Sequence, residues 1–105
     1  MPSVDFYEDD EFSWFLHKAA ANAGKHGVTF EQAKLVFQDV LLVELGEDRR
    51  ADYGEQRFNV LGRSGDLLLF VTYSIRGELT HIISARPAER HERRIWHREN
   101  EIGGD

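Results

Sequence analysis

The sequence predicts an α+β domain: an antiparallel sheet of about four strands, with two N-terminal helices and one C-terminal helix. Three observations carry this expectation. Apolar residues between Phe12 and Ala23 recur at helical spacing. Thr29-Phe30-Glu31-Gln32 has the form of a capping box that opens a second helix. From Leu41 to Ala85, short apolar runs alternate with polar turns, as in strands joined in a meander.

Taken in order, Val4 to Tyr7 reads as a short strand. The acids at 9–11 suit a helix N-terminus. Phe12, Phe15, Leu16, Ala19, Ala20 and Ala23 then supply one apolar helical face, and Gly24 and Gly27 bracket its end. In the second helix Thr29 is the N-cap and Gln32 reaches back. Phe30, Ala33, Phe37 and Val40 form its stripe, with Val28 stapled on Ala33. Strands follow at Leu41–Leu45, Arg57–Leu61, Leu67–Tyr73 and Leu79–Ala85, with a polar loop over 46–55. Pro87 suits the start of a last helix, for which Ala85, Ala88, Ile95 and Trp96 form a narrow apolar stripe. The sheet is expected to bury one face against the first two helices.

A chain of 105 residues makes one domain with a single modest core. The N-terminus does not read as a basic, apolar leader and no segment approaches the length a membrane helix needs, so a soluble, cytoplasmic protein is expected. The absence of cysteine excludes disulfides, thiolate catalysis and cysteine-ligated zinc. The net charge of -6 argues against a generic nucleic-acid binder. Its distribution qualifies that: residues 1–15 carry five acids and no Lys or Arg, whereas residues 86–98 carry five arginines against two glutamates.

Several residues have chemistry to offer. Lys25-His26 lies between two glycines at a helix–helix junction, where a histidine near neutral pKa serves as acid or base, or is simply a surface residue. Glu55 and Arg57 share one strand face, as an ion pair or as a phosphate donor with its orienting acid. Arg86 precedes the last helix, whose N-terminus favours anions; it reads equally as a strand-end ion pair. Arg90 and Arg94 with their neighbours make that helix basic, either a solvated face, a nucleic-acid contact or a dock for an acidic partner. His91 and His97 are six apart and share no helix face, so no metal site is expected, and no cofactor motif is present.

Lys25-His26-Gly27-Val28 with Phe30, Glu31, Ala33, Phe37 and Asp39 resembles the first signature of the BrnT toxins. Asp52-Tyr53-Gly54-Glu55, Arg57-Phe58 and Gly62 resemble their central signature. Ile82-Ile83-Ser84-Ala85-Arg86, Ala88, Glu92 and Arg93 resemble their last. The resemblance spans roughly residues 12–98. The chain departs from it in its acidic opening, Phe6-Tyr7-Glu8-Asp9-Asp10, and in Trp96 near the end of the last helix. The resemblance implies a RelE-like fold over one toxin domain, 1–105, with an acidic extension over about 1–11. It implies a ribonuclease that inhibits translation and is neutralised by a BrnA-like ribbon-helix-helix antitoxin, reaching operator DNA only through that antitoxin. Metal-free RNA cleavage needs a base, a cation for the phosphate and an acid for the leaving oxygen. Residue chemistry assigns the phosphate to Arg57 and Arg86, proton transfer to His26, added charge to Lys25 and a hydrogen bond to Tyr73. A non-catalytic module that only binds an antitoxin is the alternative.

Overall fold

The computed structural model describes residues 5–101. Its elements run β1 (Phe6–Glu8), β2 (Phe12–Phe15), α1 (Leu16–His26), α2 (Phe30–Val36), β3 (Val43–Glu47), β4 (Phe58–Ser64), β5 (Leu67–Arg76), β6 (Leu79–Pro87) and α3 (Arg90–Glu99). The fold is α+β with three helices, but the sheet is larger than the expected four antiparallel strands. It has six strands in the order β1-β2-β6-β5-β4-β3, and β2 pairs parallel with β6. The first two helices follow two strands instead of the one expected. The expected strand at Val4–Tyr7 is β1; Val4 itself lies outside the described residues.

The acids at 9–11 explain the difference. They cap a turn, not a helix. Asp9 Oδ1 accepts from the backbone N–H groups of Glu11 and Phe12, at 2.8 and 2.7 Å, which closes the β1–β2 hairpin. Asp9 Oδ2 takes the Tyr7 hydroxyl and the Lys34 ammonium, tying that hairpin to α2. Such side-chain bonds offer the backbone an alternative to helix. Phe12, Ser13 and Trp14 are all buried, and a strand covered on both faces buries three consecutive residues where one helix stripe does not. The helix therefore begins at Leu16.

The capping box at Thr29 forms as expected, with Gln32 N donating to Thr29 Oγ1 and Thr29 N donating to Gln32 Oε1. The helix it opens is short. Val36 takes the buried place in its stripe, and Val40 falls beyond its end at 92% exposure. At Gly62 a Cβ would lie 2.6 Å from Val36 Cγ1, so glycine lets α2 sit directly on β4. Pro87 closes β6 and does not open α3. Ala88 N still donates to Leu68 O, and the cap is Glu89.

The sheet separates two cores by strand alternation. Val60, Val71, Ile82 and Ala85 meet α1 and α2 together with Trp14, Phe30 and Val36. On the opposite face Leu61 and Phe70 meet Ala88 and Trp96. The register continues that second face as a polar row: Arg57 and Asn59 on the β4 side, Thr72, Ser74 and Arg76 on β5, His81 on β6, and Ser13 on β2. α3 covers one end of the face, and the polar row occupies the other.

Candidate active site

A cleft of about 170 Å³ opens at the polar end of this face, lined by Phe15, Lys18, Arg57, Arg76, His81 and Ile83 among others. Local sequence accounts for each wall. β2 pairs with β6 only at Phe12–Thr80 and Ser13–His81, then leaves the sheet as α1 begins. The flank of β6 beyond that point needs another partner. Asn22 supplies it: its Nδ2 donates to Ala85 O at 2.8 Å and to Val28 O at 2.9 Å, and its Oδ1 accepts from Ala85 N at 3.1 Å. A buried amide thus replaces a strand and fixes α1 against β6. Lys18, one turn earlier, is held at the mouth of the cleft. A register shift between Thr72 and Tyr73 leaves Ile83 as the extra residue of β6, and it too turns into the cleft.

The charges do not balance. Lys18, Arg57 and Arg76 line the cleft, where among the described residues no carboxylate joins them. Glu55 lies 3.7 Å from Arg57 Nε and 3.3 Å from Arg76 Nη2 and offsets part of their charge. On a chain of net charge -6 this is a local positive field. Arg57 is incompletely satisfied. Its Cζ lies 4.1 Å from the centre of the Tyr53 ring, yet among the described residues its buried Nε has no hydrogen-bond acceptor. The Ser74 hydroxyl, also buried, has none either. An unmet buried donor in a cationic cleft is suited to an anion's oxygen.

His81 sits at the floor, 2% exposed. Ser13 Oγ contacts its Nδ1 at 2.9 Å, and the rings of Phe6 and Phe15 pack on it at 6.3 and 5.3 Å. Burial lowers its pKa first, and Arg76 and Arg57 lower it further against the opposing pull of Glu55. It is neutral at neutral pH.

The sequence-derived residues divide between the two ends of the face. Arg57 stands in the cleft. Arg86 is on the same face but five residues past His81 on β6, which the bulge at Ile83 reduces to four rises of the paired strand, about 13 Å. Its Nη1 and Nη2 donate to Glu92 Oε1 and Oε2, each at 2.8 Å; Nη1 also reaches Pro87 O at 3.2 Å, and the guanidinium covers Phe70. Lys25 and His26 end α1, exposed and half-exposed, with Gly27 as the left-handed cap. His26 is eight residues from Lys18, about 12 Å along the helix axis. Since Lys18 borders the His81 end of β6 and Asn22 binds Ala85, α1 runs alongside β6 and carries His26 toward Arg86. Tyr73 points to the other face, where it packs edge-on against Phe37 at 5.1 Å, and burial raises its pKa ahead of the Glu44 charge. Arg90 and Arg94 are exposed on α3.

Ser13, Lys18, Asn22, Arg76 and His81 escaped the reading of the sequence. Lys18 and Arg76 look like solvent-facing residues in isolation. One signal was present: Thr72, Ser74 and Arg76 alternate with apolar residues in an otherwise apolar run. That pattern marks a strand whose second face changes from core to polar surface partway along. Glu89, His91 and Glu92 bring three ligand-type atoms within 4.8 Å of one another, but both Glu92 oxygens already accept from Arg86.

Among the described residues, no helix is long and apolar enough to cross a membrane. A comparison with curated proteins gives no match. Residues 14–92, which include Lys18, Arg57, Arg76, His81, Arg86 and Glu92, match the family model described as the ribonuclease toxin BrnT of type II toxin–antitoxin systems, and the chain belongs to that family.

Proposed function

We propose that this toxin is an endoribonuclease that cleaves RNA without a metal, within a single domain, and thereby inhibits translation in the cytoplasm. The observation that carries this reading is the cationic cleft on an acidic chain, where among the described residues the buried Nε of Arg57 has no acceptor. Arg57 and Arg76 hold the phosphodiester as it gains charge, and Lys18 adds a third positive charge. Arg86 acts through Glu92, which it holds at the start of α3. Lys25, His26, Arg90 and Arg94 contact the RNA strand where it runs toward the α3 end of the face. Tyr73 supports the sheet beneath Arg57 through Phe58, at 5.7 Å between rings. The antitoxin of this type II pair is a BrnA-like ribbon-helix-helix protein, and operator DNA is reached only through it.

The test is induction of the chain and of Arg57→Ala at equal soluble expression, following growth and RNA integrity. Growth arrest with RNA breakage, lost in Arg57→Ala and unaffected by EDTA in a purified assay, supports the reading. His26→Ala in the same assay decides the proton-transfer role that residue chemistry assigns to it.

A second reading has one observation in its favour. Arg86 is fully committed to Glu92, and the exposed arginines of α3 suit an acidic protein partner as well as RNA. A chain that binds its antitoxin without cleaving RNA leaves growth unimpaired when induced alone.

A further inference from the structure

Among the described residues that line the cleft, the buried His81 is the titratable side chain that phosphate binding does not use. We propose that His81 is the proton-transfer residue of the RNA site, with Ser13 holding its ring in place; this rests on the ribonuclease reading above.

The geometry carries it. Ser13 reaches Nδ1 at 2.9 Å from β2, on one flank of β6. The ring's other nitrogen is thereby turned to the opposite flank, where Ser74 pairs with His81 and where Arg57 and Arg76 enter the cleft. Among the described residues nothing hydrogen-bonds Nε2. With Nδ1–H donating to Ser13 Oγ, the Nε2 lone pair is open, as a general base requires. Phe6 and Phe15 clamp the ring from β1 and β2, so its orientation is held before substrate arrives.

Among the described residues, charges approach the ring from three elements. Lys18 borders it from α1, Glu55 and Arg57 from the segment entering β4, and Arg76 from β5. Burial first, then Arg76 and Arg57, against the opposing pull of Glu55, hold the imidazole's pKa below the usual histidine range, so that the ring is able to accept a proton. Nε2 takes the proton of the ribose 2′-hydroxyl. The 2′-oxygen bonds to phosphorus and the bond from phosphorus to the 5′-oxygen breaks. A water protonates the departing 5′-oxygen, and the hydroxide it leaves recovers the proton from His81. The products are a 2′,3′-cyclic phosphate and a 5′-hydroxyl.

The experiment uses the purified chain with two oligonucleotides of one sequence, RNA and its 2′-O-methyl analogue, which binds but cannot react. His81→Gln is expected to slow RNA cleavage by about 100-fold or more. Binding of the analogue should stay within about threefold, since the cations remain. The wild-type rate should rise with pH and level off below pH 6.5, with that acidic limb absent from the residual rate of His81→Gln. Ser13→Ala should move the limb without abolishing cleavage. In the wild-type chain, the His81 ring resonances should shift when the analogue is added, a readout independent of any variant's folding. Cleavage by His81→Gln within threefold of wild type, an acidic limb that survives the substitution, or ring resonances blind to the analogue would each overturn the proposal while leaving the ribonuclease reading intact. A wild-type chain that binds the analogue but never cleaves RNA overturns both.

Discussion

Arg57 and Arg86 stand on the same face of the same sheet, and residue chemistry alone offers both to a phosphate. Their surroundings separate them. Arg86 has an acceptor for each terminal nitrogen and an aromatic ring beneath it, and its Glu92 is 6% exposed at the side chain. Arg57 has a carboxylate at 3.7 Å, a tyrosine ring and a buried Nε without an acceptor among the described residues. A guanidinium already saturated by a carboxylate must surrender that pair before it can hold a phosphate. One with an unmet donor does not. The difference teaches that an arginine's partners, more than its place in a motif, decide whether it is structural or available.

That comparison can be broken most sharply at Arg86. Arg86→Ala strands the buried Glu92 carboxylate and loosens the N-terminus of α3, where Glu92 also accepts from Glu89 N. A loss of about 3 kcal/mol is expected, read as a lower denaturation midpoint, because removing one partner of a buried pair leaves a charge uncompensated. Double replacement of Arg86 and Glu92 by apolar residues should restore much of it. If Arg86→Ala instead leaves stability unchanged and cleavage fails, Arg86 belongs to the chemistry.

At Arg57 the expected balance is reversed. Arg57→Ala should lower kcat/KM for RNA by about 100-fold, the usual effect of losing one donor to a charged transition state. The denaturation midpoint should barely move. A variant that unfolds would make Arg57 another structural arginine and remove the contrast.

Asn22 provides a smaller structural effect away from both arginines. Asn22→Ala leaves Ala85 N and O and Val28 O without their side-chain partner, at a cost of about 2 kcal/mol. Hydrogen exchange at Ala85 should report it first.

The smallest effect is one of pH. Arg50 holds the Asp48 carboxylate down, from an ordinary 3.8 to about 2, against the desolvation of its burial. The sign follows from the depressed folded value. The stabilisation is fully present above pH 3.8 and is lost as pH falls through about 2. An Asp48→Asn chain should therefore lose less stability than wild type between pH 4 and pH 2. An identical acid response in both would place the sensitivity elsewhere.

The legible parts of the fold were those fixed by neighbours in the chain. The Thr29–Gln32 capping box, Gly27 as a cap, and the runs that became β4, β5 and β6 all depend on contacts within a few residues. The illegible parts depended on distant ones. Phe12 and Phe15 fit a helical face as well as they fit a strand, and only the pairing of Phe12 and Ser13 with Thr80 and His81 settles the matter. Asp9 resembles a helix cap until Lys34 and Tyr7 are seen on its other oxygen. The site divides in the same way. Arg57 stood out because its neighbour Glu55 is two residues away. Lys18, Arg76 and His81 come from three separated segments, and no local spacing links them.

By itself the sequence determined an α+β domain, the second helix and its start, the hairpins after residue 57, and membership of a ribonuclease toxin family through the order of its short motifs. Those outcomes rest on local backbone preferences and on side-chain periodicity, which a chain carries wherever it folds. Tertiary structure alone decided that two further strands join the sheet, one of them parallel, that Arg86 is bound to Glu92, and that a neutral histidine lies among three cations. Burial, partner saturation and the sum of neighbouring charges are properties of what comes together in space, and residues far apart in the chain acquire them only when the sheet closes around them.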